Sequence, residues 1–178
     1  MPDPLPFIYW DACIFLSYIN GDARRLPDID ALLDHSGKDF QIITSMFSVI
    51  EVAFAKIEQD GKALKQKTEA KIDALWAPGS PVKLVEFHFE IATEARAIIR
   101  AGLSAGLKTL KPKDAIHIAT AKMISCKEFH TYDTDLEKYS EVIGIKIGPP
   151  LARQLALPSP PSLPTVTPPS LPPIDPKA

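Results

Sequence analysis

From residue 7 to 147 the chain alternates short apolar runs with longer stretches whose apolar positions recur every three or four residues. The runs at 7–10 (FIYW), 40–43 (FQII), 82–85 (VKLV), 128–131 (EFHT) and 143–147 (IGIKI) are strand-like in length and composition. Helical spacing predicts helices over 12–20, 24–36, 45–60, 62–76, 90–103, 112–125 and 133–139. Thr44 or Ser45 offers an N-cap to the third of these, which would put Phe47, Ile50, Phe54 and Ile57 on one face. A PGSP turn at 78–81 closes the fourth. Strands separated by helices predict a parallel sheet with helices on both faces, and in such sheets ligands bind outside the carboxyl ends of the strands.

Composition changes near Gly148. Eleven of the thirty residues from 149 to 178 are proline, which lacks the donor and the conformational range for helix or ladder. Residues 1–147 therefore read as one domain. Residues 148–178 read as a proline-rich tail, extended or disordered, either solvated or docked on an aromatic groove. A length of 178 residues suits a single well-buried domain better than two. The 20 basic and 22 acidic side chains leave a net charge of -2, so any contact with nucleic acid has to come from a local patch. Cys13 and Cys126 sit in apolar runs and make neither a disulfide framework nor a zinc site, which favours a reducing compartment. The first residues carry no basic leader, and no uncharged run approaches the ~20 residues that span a bilayer. The expectation is a soluble, cytoplasmic protein with no membrane partner.

Four acidic residues stand out by position. Asp11 directly follows the apolar run FIYW and should lie at the carboxyl end of a central strand; Asp133 repeats the arrangement after the strand at 128–131. Two carboxylates on one edge repel each other unless one is protonated or a cation bridges them. Glu51 lies four residues after Phe47 and three before Phe54, on the apolar face of its helix, with no basic residue nearer than Lys56. A buried charge needs a partner. Asp114 follows Pro112 by two; with Pro112 at N1 it becomes an N3 acid that complements the helix dipole, or a fourth ligand. These acids read either as unrelated surface charges or as one cleft. If they converge, they offer the hard oxygen donors that Mg2+ or Mn2+ prefers, a site able to clamp a phosphodiester and activate water.

The residues around these acids resemble a known family. FIYWDACIFLSYINGD, ITSMFSVIEVAFAK, LKPKDAIHIATAKMISC and EFHTYDTDLEKY, in this order, are similar to the four motifs of PIN-domain proteins. The resemblance spans about 7 to 147 and excludes the tail. It implies a three-layer α/β/α sandwich with a central parallel sheet. It also implies a Mg2+- or Mn2+-dependent endoribonuclease of the VapC toxin type, inhibited by a cognate antitoxin protein and commonly a homodimer. Matched by position, Asp11, Glu51, Asp114 and Asp133 are the catalytic, metal-holding acids, and Asp135 is an auxiliary acid. The first motif departs from the pattern: Ala12 and Cys13 stand where a Ser or Thr and then an Asn are frequent. That departure supports an alternative, a weak or inactive PIN-like module that binds RNA or a protein partner.

Further residues are open to two readings each. Lys108, Lys111 and Lys113 precede Asp114 and either grip flanking phosphates or are solvated loop lysines, Lys111 and Lys113 being the substrate candidates. His117, one turn after Asp114, either packs within the helix layer or orients Asp114 or substrate from outside the metal's own ligands. The sequence carries no P-loop, Gly-rich dinucleotide turn, G-x-S-x-G elbow or H-E-x-x-H motif.

Overall fold

A computed structural model describes residues 4–53, 58 and 60–152 of the chain. Its five strands are β1 (Phe7–Trp10), β2 (Gln41–Ser45), β3 (Val82–Val85), β4 (Glu128–His130) and β5 (Lys146–Gly148). All pair in parallel, in the order β3-β2-β1-β4-β5. The first strand in sequence is thus the central one. The chain builds outwards to β3 on one side, then returns to add β4 and β5 on the other. The direction of winding changes between β1 and β4, and the helices that follow neighbouring strands diverge there to leave a crevice.

Helices α1 (Ala12–Asn20), α2 (Leu26–His35), α3 (Phe47–Ala53) and α4 (Gln66–Trp76) precede β3. After it come α5 (Phe89–Ser104), α6 (Pro112–Met123), α7 (Thr134–Glu137) and α8 (Ser140–Ile143). Alternation along the strands sends successive side chains to opposite faces. Tyr9, Ile43, Phe129 and Ile147 enter one core with Ile91, Ile98 and Ile118 of α5 and α6. Trp10, Ile42 and Val82 enter a second core with Ile14, Phe15, Ile29 and Leu75 of α1, α2 and α4. The sheet is therefore covered on both faces, the three-layer arrangement that the alternating pattern implies. Each fully buried large side chain contributes on the order of 1.5–3 kcal/mol, so the central strand, with Tyr9 and Trp10 both at 0% exposure, anchors both layers.

The structure corrects the expected inward face of the third helix. Ile50 does not face the core: it is 63% exposed, and α3 instead buries Ser48 and Val52. Polar Ser48 can go inside because its hydroxyl pairs with Thr44 Oγ1 at 2.6 Å, and Thr44 in turn donates to the Trp10 carbonyl at 2.7 Å. A satisfied polar network thus sets the rotation of α3 in place of an apolar stripe. Phe54, Lys56 and Ile57 lie outside the described residues, as do the tail residues beyond 152. β2 runs on to Ser45, and the short helix α8, unforeseen in the sequence, separates α7 from β5. No described helix is long and apolar enough to cross a membrane.

Candidate active site

The carboxyl ends of β1 and β4 and the adjoining turns of α1, α3 and α6 enclose a cleft of about 310 Å³. Asp11, Glu51, Asp114 and Asp133 all line it, with Ala12, Cys13, Leu16 and Lys113. The four acids singled out in the sequence therefore meet in one place.

Asp11 leaves β1 in an extended conformation and caps α1, its carboxylate accepting from the Ala12 amide at 2.7 Å. Its other oxygen accepts from the Thr131 hydroxyl at 2.8 Å and from the Cys13 thiol at 3.3 Å. Burial, followed by the charge of Asp11, pushes the Cys13 thiol well above its ordinary range, so it stays protonated and able to donate. Thr131 also accepts the Asp133 amide at 3.0 Å, so one hydroxyl ties both strand-end acids together. The resembled pattern often places a hydroxyl directly after the first aspartate. Here Thr131, at the end of the neighbouring strand, supplies one.

Asp133 caps α7 by accepting from the Asp135 amide at 2.9 Å and lines the cleft. Asp114 occupies the third position of α6, after Lys111 as N-cap and Pro112 as first residue. Its side chain is 19% exposed. Burial raises its pKa above the ordinary carboxylate value; the charges of Asp11 and Asp133 push the same way, against Lys113 and His117. A divalent cation in the cleft would favour the charged form against both burial and the neighbouring acids.

Glu51 finds the partners that its own helix lacks, and both come from α6. Lys113 Nζ lies 2.9 Å from Oε1, and His117 Nε2 lies 2.5 Å from Oε2. Burial alone would raise the Glu51 carboxyl, but His117 and then Lys113 outweigh it and hold the group below its ordinary value. His117 is buried, as the packing reading expected, yet it contacts Glu51 and not Asp114. One ligand atom each from Asp11, Glu51 and His117 lies within 4.8 Å of the others, close enough to share one ion. This donor set, with Asp114 and Asp133 on the same cleft, fits a divalent metal that prefers oxygen ligands.

The remaining candidates sit outside this cleft or at its edge. Lys113 reaches the cleft itself, half exposed. Lys111 lines a smaller adjoining pocket of about 60 Å³ with Lys108, Asp114, Asp133 and Asp135. Asp135 is not among the cleft residues: its oxygens pair with Lys108 at 2.5 Å and Lys138 at 2.8 Å, which lower its pKa to about 2. Thr131 and Tyr9 were not read as site residues from the sequence. Thr131 stands two residues before Asp133, and Tyr9 is a hydroxyl-bearing residue inside an apolar run two before Asp11; those spacings were the available signals.

Comparison with known proteins agrees with this fold. The family model described as PIN domain matches residues 8–142. Among solved structures, the chain is similar to one from VapBC2 of Rickettsia felis bound to a promoter DNA fragment. That match has a TM-score of 0.62 at 13% identity, covering 79% of this chain and 96% of the other. VapC20 of Mycobacterium tuberculosis, described as a sarcin-ricin loop cleaving toxin, matches with a TM-score of 0.57 at 12% identity over 74% and 93% of the two chains. A chain of FitAcB from Neisseria gonorrhoeae matches with a TM-score of 0.54 at 17% identity over 80% and 97%. At such identities the likeness is one of fold. No curated protein matches the sequence.

Proposed function

The chain belongs to the PIN domain family, and from that premise we propose that it is a divalent-metal-dependent endoribonuclease, the toxin of a toxin–antitoxin pair. The observation that carries this reading is the convergence of Asp11, Glu51, Asp114 and Asp133 on one cleft at the switch point of a parallel sheet. Asp11, Glu51 and Asp114 would hold Mg2+ or Mn2+, and Asp133 would complete the site. When bound, the cation supplies Lewis-acid stabilisation of the phosphodiester oxygens and makes water acidic enough to attack near neutral pH.

The chain's own residues prepare the cleft for that chemistry. Thr131 and the Ala12 amide fix the Asp11 carboxylate, so little rotamer freedom remains to be lost when a ligand arrives. Lys113, inside the cleft, is placed to accompany a phosphate, and Lys111 beside it extends the cationic edge along α6. The N-terminus of α6 adds a positive dipole end on the same side. These local charges compensate for a chain whose net charge offers no general attraction to RNA.

The test is cleavage of single-stranded RNA with Mg2+ or Mn2+ by the wild-type protein and Asp11→Asn. Cutting by the wild type alone supports the reading; equal cutting by both excludes it. The chain is also similar to one from a toxin–antitoxin complex of Klebsiella pneumoniae, which supports a protein antitoxin as partner. Ala12 and Cys13 after Asp11 favour a second reading, a PIN-like module that binds RNA or protein without cutting. Full Mn2+ binding with no cleavage of any RNA offered would select it.

A further inference from the structure

Resting on the metal reading of the cleft, we propose that His117 is a positioning residue for Glu51, and that Tyr9 sets the tautomer in which it acts. The imidazole is 1% exposed and packed edge-on to the rings of Tyr9 and Phe47 at 5.9 and 6.2 Å between centroids. Both of its nitrogens are engaged. Nδ1 lies 2.7 Å from the Tyr9 hydroxyl and Nε2 lies 2.5 Å from Glu51 Oε2.

The far end of this chain has a fixed direction: the Ser45 amide can only donate, and it donates to the Tyr9 oxygen at 2.9 Å. In the proposed arrangement the Tyr9 hydroxyl in turn donates to Nδ1, which leaves the imidazole proton on Nε2. That proton faces an acceptor, Glu51 Oε2. Ser45, Tyr9 and His117 thus donate in sequence toward the cleft, ending on the Glu51 carboxylate. Tyr9 is itself fully buried, and its ring stacks on Phe129 at 4.9 Å and 13°.

The arrangement answers a structural need. Glu51 lies on α3, a seven-residue helix with no neighbouring cation of its own among the described residues. A long side chain there has three torsions to fix before its carboxylate can serve a metal. Lys113 holds Oε1 from the open side, where it is half exposed. His117 holds Oε2 from the buried side, leaving the plane of the carboxylate fixed between them. Partners of this outer kind typically govern 10- to 100-fold in metal affinity. The same nitrogen also lies 3.9 Å from Asp11 Oδ1, so a direct ligand role is the competing account.

Two measurements on the full chain separate these accounts. Long-range nitrogen–proton correlation spectra of the wild type without added metal should show His117 as the Nε2–H tautomer. Tyr9→Phe should lose that preference. An Nδ1–H tautomer in the wild type, or an unchanged Tyr9→Phe spectrum, overturns the proposal. Calorimetric titration with Mn2+ should then show His117→Leu binding about 10- to 100-fold more weakly, with His117→Gln, which keeps an N–H donor, recovering to within about threefold of wild type. Tyr9→Phe, with its ring intact, should weaken binding in the same direction, so the outcome stands even if His117→Leu fails to fold. Wild-type affinity in both His117→Leu and Tyr9→Phe overturns the proposal, as does a His117→Gln protein no better than His117→Leu. Absence of any Mn2+ uptake by the wild type refutes the metal reading itself, while the tautomer spectra still decide the donor chain.

Discussion

The Thr131 hydroxyl donates to Asp11 Oδ2 at 2.8 Å, joining the ends of two adjacent strands that lie 120 residues apart in the chain. Because Thr131 also receives the Asp133 amide, it organises both strand-end carboxylates at once. Thr131→Val should leave Asp11 short of one donor inside a buried setting, costing about 1–3 kcal/mol of stability and weakening Mn2+ binding. Thr131→Ser should restore the hydroxyl and most of the affinity. Calorimetry and denaturant unfolding of the two variants check this together.

Asp114 should oppose folding when charged. Its folded-state pKa is raised, by burial first and then by Asp11 and Asp133, so the ionised form is disfavoured relative to the unfolded chain. The stability linked to this group is present below the ordinary Asp pKa and lost as pH rises through the higher folded value. Without added metal, Asp114→Asn should therefore melt above the wild type at pH 7, and the gap should close as pH falls below about 4. Thermal melts across that range, without and with Mn2+, provide the check; added metal should reverse the order at pH 7.

Glu51 should behave with the opposite sign. Its folded pKa is lowered because His117 and Lys113 outweigh burial, so its contribution is present above the ordinary Glu pKa and lost as pH falls through the folded value. Glu51→Gln should consequently melt below the wild type at pH 7 and approach it in acid. A variant that melts higher at pH 7 would contradict the pairing with α6.

Asp135 should matter little for the metal. Its carboxylate is exposed and pairs with two exposed lysines, contacts of a kind that contribute little to stability in water. Asp135→Asn should keep a Mn2+ dissociation constant close to wild type, whereas Asp133→Asn should lose affinity. Parallel titrations of the two proteins decide the point.

Gly102 should resist substitution for a reason unrelated to chemistry. A Cβ there would come within 2.3–2.6 Å of the Tyr139 ring, which is itself buried and donates its hydroxyl to the Lys108 carbonyl. Gly102→Ala should cost about 1–3 kcal/mol through overpacking, seen as a lower denaturant midpoint.

The legible part of this protein was what local pattern controls. Asp11 declares itself because it directly follows an apolar run, and Asp133 because it comes shortly after another strand-like run, positions that fall at strand ends. Asp114 does so through Pro112, whose ring fixes the start of α6. What stayed hidden depends on contacts made only after folding. Glu51 looked unpaired because its partners Lys113 and His117 lie 62 and 66 residues away. The rotation of α3 was misread at Ile50 because Thr44 and Ser48 satisfy each other in the interior, and hydropathy alone does not anticipate a paired hydroxyl going inside. Thr131 looked like an ordinary strand residue, since its value lies in an acceptor on the neighbouring strand.

Crystals soaked in Mn2+ and measured at an X-ray wavelength that reveals manganese anomalous scattering test the central claim most directly. The account predicts an anomalous peak in the cleft in contact with Asp11 and at least one of Glu51, Asp114 and Asp133, absent from Asp11→Asn crystals soaked alike. A well-occupied peak elsewhere on the molecule, or an empty cleft at saturating Mn2+, would contradict it.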